Sequence, residues 1–198
     1  GTLYFWGRKD PFGVNIGSSA GETLTIEQTI ENPQIRHHTS GWAHGNTSWM
    51  AQHIQKAWNS EQKTIYDPCP LGYIVASSQI WKGFTTTGKL VKDMSELNAN
   101  GTYDNGWNFY IDESRTLSAW YPLSHAYEYM SGNYCEINEG QNSVWSSDNL
   151  YNTDRNALRL VYINEYNISV GINPTADGYA LPVRCMKDEA YVSAASPI

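Results

Sequence analysis

The chain has 198 residues, enough for one domain with a real core, and a formal net charge of −7. Its densest basic cluster is Arg36-His37-His38, which excludes a phosphate-reading nucleic-acid surface and an anionic-membrane partner. Aromatic residues make up 13% and charged residues 17% of the chain, which excludes a disordered polymer and points to a loop-rich fold with a core built on rings.

Residues 2–6 are β-rich and read as a first strand. A loop with Pro11 and three glycines follows, through Gly21. Residues 25–32 read as a short helix, with Thr25 as N-cap, Gln28 completing a capping box and Pro33 as the stop. A second helix is expected over 47–59, where Trp49, Met50, His53, Ile54, Ala57 and Trp58 make one broad apolar stripe. Residues 73–76 predict a short strand, and Ser77 or Ser78 can cap a brief helix through Ile80, Trp81 and Phe84. The stretch 85–106 reads as polar and irregular, with turn signals at Asn100-Gly101 and Asp104-Asn105-Gly106. Trp107, Phe109 and Ile111 then alternate with Asn108, Tyr110 and Asp112, which predicts a half-buried strand. Residues 117–121 are its expected partner across an Asp112-Glu113-Ser114 turn. A loop is expected over 124–140, and a strand opens at Val144. A strand pair is expected over 157–166 and 167–172, and a last strand over 181–186. Two early helices followed by many short strands indicate an α+β domain over 1–189, with 190–198 as a tail.

Three segments occur in order: Asp67-Pro68-Cys69-Pro70-Leu71-Gly72-Tyr73, Val144-Trp145-Ser146-Ser147 and Pro182-Val183-Arg184-Cys185. Together with Phe5-Trp6-Gly7-Arg8-Lys9-Asp10-Pro11-Phe12 and Ile30-Glu31-Asn32-Pro33, they resemble the Fibrobacter succinogenes major paralogous domain. That module is found in surface lipoproteins and fimbrillin-like proteins of gut Bacteroidetes. The resemblance spans most of the chain, from about Leu3 to Lys187. It implies a C-type-lectin-like fold and an extracellular, adhesive role, with no particular ligand. The chain departs from the family where Pro122 is followed by Leu123-Ser124-His125-Ala126-Tyr127. Members usually carry Gly-Tyr-Arg there, so no role tied to that arginine carries over.

Three cysteines leave one over if two of them pair. Cys69 sits between prolines, each of which fixes its own φ and pushes its predecessor out of the helical region. Such a residue is held in place as an anchor would be, and Cys185 lies in the final strand-like run. A Cys69–Cys185 bridge is the pairing this supports, as does the family resemblance, with Cys135 left over. Three reduced core thiols are the alternative on the residues alone.

No catalytic constellation stands out. The chain has no HExxH, CxxC or phosphate-cradling glycine loop. His37 and His38 are adjacent, so their side chains diverge, and no metal or other cofactor is expected. Neither triplet of the sugar-binding C-type lectins (Glu-Pro-Asn or Gln-Pro-Asp, and Trp-Asn-Asp) occurs, so no calcium dependence is expected. The candidate ligand-binding residues are Asn100, Tyr103, Asp104, Asn105, Trp107, Trp120 and Tyr121, where rings stand beside amides and a carboxylate. Sugar faces stack on such rings while Asn and Asp bind hydroxyls. Tyr and Trp also make protein contact surfaces at low entropic cost.

The function read from the sequence is non-enzymatic adhesion or ligand binding at a cell surface. The expected partner is a host or microbial glycan or protein, or other pilus subunits, with no nucleic acid and no membrane span. The alternatives are a secreted carbohydrate-active or sulfatase-modifying-type enzyme and a purely structural pilus subunit. Gly1 followed by a strand-like segment suggests that a signal and an outer-membrane lipid anchor have been removed.

Overall fold

Pro, Gly and Asn recur every few residues along this chain, and that punctuation keeps most of its strands short. The computed structural model describes residues 2–11, 25–31, 56–88, 94–102, 104, 106–122, 126–127, 134–135, 141–148, 155–164, 167–175 and 180–191. Among these lie β1 (Tyr4–Phe5), α1 (Ile26–Glu31), β2 (Tyr73–Val75), a 3-10 helix over Ser78–Phe84 and a 3-10 turn over Met94–Glu96. β3 (Ala99–Asn100), β4 (Gly106–Tyr110), β5 (Ser118–Pro122), β6 (Ala126–Tyr127), β7 (Tyr134–Cys135) and β8 (Gln141–Trp145) follow. The last strands are β9 (Arg155–Asn164), β10 (Asn167–Thr175), β11 (Ala180–Leu181) and β12 (Cys185–Lys187). The strands form small antiparallel sheets in the orders β1-β11-β6-β7, β10-β9-β8, β12-β2 and β3-β4-β5. Few helices and many short antiparallel strands make this a small α+β fold.

The centre of the fold is a turn built around one carboxylate. Asp67 is buried, and its Oδ1 accepts the Cys69 N–H at 2.8 Å while its Oδ2 accepts the Val75 N–H at 2.9 Å. Lys63 Nζ donates to Asp67 Oδ1 at 2.9 Å, to the Cys69 carbonyl at 2.5 Å and to the Tyr73 carbonyl at 2.9 Å. The three ammonium protons are thus matched by three acceptors. Tyr73 N–H closes the Pro70–Tyr73 turn on the Pro70 carbonyl, with Gly72 at φ 82° in the position that favours glycine. The turn delivers Cys69 to Cys185, and the two are disulfide-bonded across a sequence separation of 116. β2 and β12 pair beside the bridge, with Val75 opposite Cys185.

Three tryptophans lock this turn to both ends of the chain. Trp6, Trp58 and Trp145 are fully buried in one cluster with Ala57, Cys69, Val75 and Leu181. Each indole N–H finds a backbone carbonyl: Trp6 that of Ser146 at 3.2 Å, Trp145 that of Tyr4 at 2.7 Å, Trp58 that of Tyr66 at 2.9 Å. The exchange between β1 and the residues around Trp145 satisfies donors that would be costly to bury alone. Trp145 N–H also donates to Pro182 O, Ala76 N–H to Arg184 O and Ser147 N–H to Ala76 O. The segments around Trp6, Asp67, Trp145 and Arg184 therefore converge as the structural frame.

Several local expectations are met. Thr25 and Gln28 form the capping box, with Gln28 N–H on Thr25 Oγ1 at 3.2 Å and Thr25 N–H on Gln28 Oε1 at 2.9 Å. Ser77 caps the 3-10 helix by accepting the Gln79 N–H. β9 and β10 pair as expected.

Others are corrected. The helix expected over 47–59 does not reach its end: residues 56–59 are turn and bend, and Lys56 has φ 55°. That backbone is incompatible with an α-helix, and residues 47–55 lie outside the described residues. The 124–140 loop contains β6 and β7, which pair with each other. The single strand expected over 181–186 is two strands, separated where Val183 bridges Trp145 in parallel. The change of partner sheet breaks the expected alternation, so Leu181 is buried and Cys185 is exposed. The tail begins with a helical turn at residues 189–191, where Asp188 Oδ1 accepts the Tyr191 N–H and the Tyr191 ring lies against Gly72.

Asp67→Ala leaves the Lys63 ammonium and two backbone donors without their acceptor, a change that typically costs about 3–5 kcal/mol. A urea titration of the oxidised protein should show that loss. A midpoint within experimental error of wild type would contradict the central role of this carboxylate. Cys69→Ser opens a closed loop of more than a hundred residues and should cost roughly 4–5 kcal/mol in the chain-entropy view. Calorimetry of the variant, with Cys135 blocked, checks it.

Candidate functional site

The candidate site is the outer face of the β3-β4-β5 sheet, and its shape follows from the turn that joins β4 to β5. Asp112 accepts from the backbone N–H groups of Thr116, at 3.1 Å, and Leu117, at 2.8 Å, and from the Thr116 hydroxyl at 2.8 Å. The Ser114 hydroxyl also donates to it. These bonds, first that from Ser114, then those from Leu117 and Thr116, hold the Asp112 carboxyl well below the usual carboxylate range. Arg115 takes φ 55° to complete the turn and lays its guanidinium 5.7 Å from the Tyr110 ring centre. Ile111 and Leu117 stand exposed at the end of the ladder, joined by Ile111 N–H on Leu117 O.

Strand alternation sorts the aromatic residues between the two faces. The inner face carries Trp107, 7% exposed, and Phe109, 2% exposed, with Tyr121 directly across from Trp107. Phe84 stacks on Phe109 with ring centres 3.8 Å apart and meets Tyr121 edge-on at 5.0 Å. The Arg184 guanidinium lies over the Tyr121 ring, 4.9 Å from its centre. Burial raises the Tyr121 phenol, and Arg184 and Trp81 oppose the shift. Trp107 and Tyr121 are thus part of the core.

The outer face presents one cross-strand row. Asn100 pairs with Asn108, and Asn108 pairs with Trp120. Asn100 is exposed, Asn108 is half-buried and Trp120 is 47% exposed. One step along, Tyr110 pairs with Ser118. The ring of Trp120 lies over Gly106: a Cβ built there would stand 2.7 Å from Trp120 Cζ2 and 2.5 Å from the Tyr121 carbonyl oxygen. Glycine at this position makes the space that the indole occupies.

Of the residues chosen from sequence, Asn100 and Trp120 come together on this face. Trp107 and Tyr121 lie beneath it, because residues one apart on a strand point to opposite sides. Asp104 is exposed at the sheet's end, where its N–H meets the Gly106 carbonyl at 3.3 Å. Tyr103 and Asn105 lie outside the described residues, as do all five histidines. Sequence reasoning missed Asn108 and Tyr110 as site residues, although their alternation with Trp107 and Phe109 carried the signal. Among the described residues, no three His, Cys, Asp or Glu side chains gather as a metal site would require.

No protein-family model, curated protein or solved structure matches the chain. Function is therefore argued from this geometry.

Gly106→Ala drives a methyl group into the Tyr121 carbonyl and the Trp120 ring. It should destabilise by about 1–3 kcal/mol and change the Trp120 fluorescence. An unaltered melting temperature and spectrum would show that β5 moves aside freely. The Asp112 carboxylate supports its turn above the ordinary carboxylate pKa of about 3.9, because its folded-state pKa is depressed. That support is lost as pH falls from there towards the lowered value. Protection of the Thr116 and Leu117 amides, taken as the exchange rate relative to the intrinsic rate at each pH, should be high at neutral pH and fall in strong acid. In Asp112→Ala it should be low throughout.

Proposed function

We propose that this chain is a non-enzymatic, extracellular domain that binds a neutral glycan on the outer face of the β3-β4-β5 sheet. The observation that carries this reading is the row Asn100–Asn108–Trp120, a half-exposed indole at the end of a cross-strand row of two amides. An indole offers a flat apolar surface to the C–H face of a pyranose. Each amide offers both a donor and an acceptor to its hydroxyls. Tyr110 extends the ring surface along β4. The net charge of −7 works against an acidic sugar and leaves a neutral one favoured.

The extracellular part of the proposal draws on the Cys69–Cys185 bond, since such bonds persist in oxidising compartments. A C-type-lectin-like fold and a place in a fimbrial or surface-lipoprotein assembly follow from the family resemblance and belong to the same proposal. The order of the motifs supports it, because their residues serve the frame on which a binding loop or sheet can vary.

The test is a neutral-glycan array followed by calorimetric titration of the best hit. Trp120→Ala should weaken that binding tenfold or more, about 1.4 kcal/mol. Its melting temperature should stay close to wild type, as for other partly exposed positions. Wild-type protein that binds no glycan, or a folded Trp120→Ala that binds as wild type does, would overturn the proposal.

A further inference from the structure

β9 and β10 make the longest ladder among the described residues, running from Asn164 opposite Asn167 to Arg155 opposite Thr175. β8 covers one side of β9, and β10 covers the other. Among the described residues no strand pairs with the far side of β10. An edge of this kind presents a row of backbone donors and acceptors to any chain that can reach it. Natural sheets blunt their edges with charges, proline, bulges or brevity.

β10 uses little of that protection. Its residues, Asn167-Ile168-Ser169-Val170-Gly171-Ile172-Asn173-Pro174-Thr175, include no charge. The proline is next to last, and the register shift lies at the opposite end, between Asn167 and Ile168. The other sheet edges are short or interrupted. β1, β3 and β7 have two residues each, β12 has three, and β5 has five with Pro122 at its end. β8 has five, and its last residue, Trp145, is already bridged by Val183.

We propose that β10 is a homotypic pairing edge, at which two copies of this chain join antiparallel about a twofold axis at Val170. The strand matches itself in that register. Ile168 falls opposite Ile172, Val170 opposite its own copy, Ser169 opposite Gly171 and Asn167 opposite Asn173. Apolar positions meet apolar positions, and no like charges face each other. The ladder ends at Pro174, which has no N–H to continue it. A twofold interface demands this self-complementarity, whereas a foreign strand does not, and the match therefore favours a second copy. Two three-stranded sheets become one continuous sheet. The net charge of −7 opposes the approach of two copies, so association strengthens as salt screens it. An interface held by ion pairs would weaken instead. The inference does not rest on glycan binding.

Sedimentation velocity on the disulfide-bonded protein, across the micromolar to millimolar range at low and physiological salt, tests it. The wild-type dimer fraction should rise with concentration and with salt. Ser169→Lys and Val170→Lys should each raise the dissociation constant at least tenfold. Successive strand residues take opposite faces, so the two substitutions test both faces of β10, and circular dichroism identifies a variant that stays folded. The register is read by oxidation in a Cys135→Ser background. Val170→Cys should cross-link to its own copy. Asn167→Cys should not, because its two copies lie six residues apart along the ladder, roughly 20 Å. A wild type that stays monomeric throughout overturns the proposal. So does a dimer that the folded lysine variant leaves intact, or an Asn167→Cys that links as readily as Val170→Cys.

Discussion

The fold depends on a buried carboxylate that organises a turn. Asp67 holds two backbone N–H groups eight residues or fewer away and the ammonium of Lys63, which in turn binds two carbonyls of the same turn. A buried charge is tolerated when it is paired and its remaining lone pairs are used, and here both oxygens and all three ammonium protons have partners. What the network fixes is the position of Cys69 relative to β2. Without it the prolines would still stiffen the segment, but nothing would set the angle at which it meets β12. The disulfide, the β2-β12 pair and the Trp cluster all follow from that angle.

How far the sequence could be read depended on how local the information was. The capping box at Thr25 and Gln28, the Ser77 cap and the β4-β5 hairpin were legible because their partners lie within a few residues. The Cys69–Cys185 bond was legible because prolines restrict the backbone around one partner and the other lies in a strand-like run. The helix expected over 47–59 was not correctly bounded, because Ala57 and Trp58 are buried by the turn around Asp67 rather than by a helical face. Apolar spacing reports burial, and burial here came from a different geometry. β6 and β7 escaped notice because two-residue strands carry no period to detect.

The candidate site shows the same limit at finer scale. The sequence marked the right region, since Trp107, Trp120 and Tyr121 are close to one another in the β4-β5 ladder. It did not separate the two faces. Trp120 and Tyr121 are neighbours in sequence, and a one-residue step in register would exchange their fates. The register is set by the Asp112 turn and by Gly106, whose missing side chain leaves room for the Trp120 indole and the β5 backbone. Those two constraints decide which ring is available, and neither is visible in composition.

Tyr121 connects the site to the frame. Its ring meets Phe84 and Phe109 edge-on, beneath the outer row, and also receives Arg184, next to Cys185. Arg184 also accepts the Ala76 N–H on its carbonyl, at the end of β2. The sheet that presents Trp120 is thus tied through one phenol ring to the strand that carries the disulfide. A ring in that position must be large, flat and able to face a cation, which is why a residue that looks like a ligand contact in the sequence serves as a joint. The surface residues Asn100, Asn108 and Trp120 carry no such duty. They can differ without disturbing the frame, and that freedom is what a surface needs if it is to be shaped by a ligand.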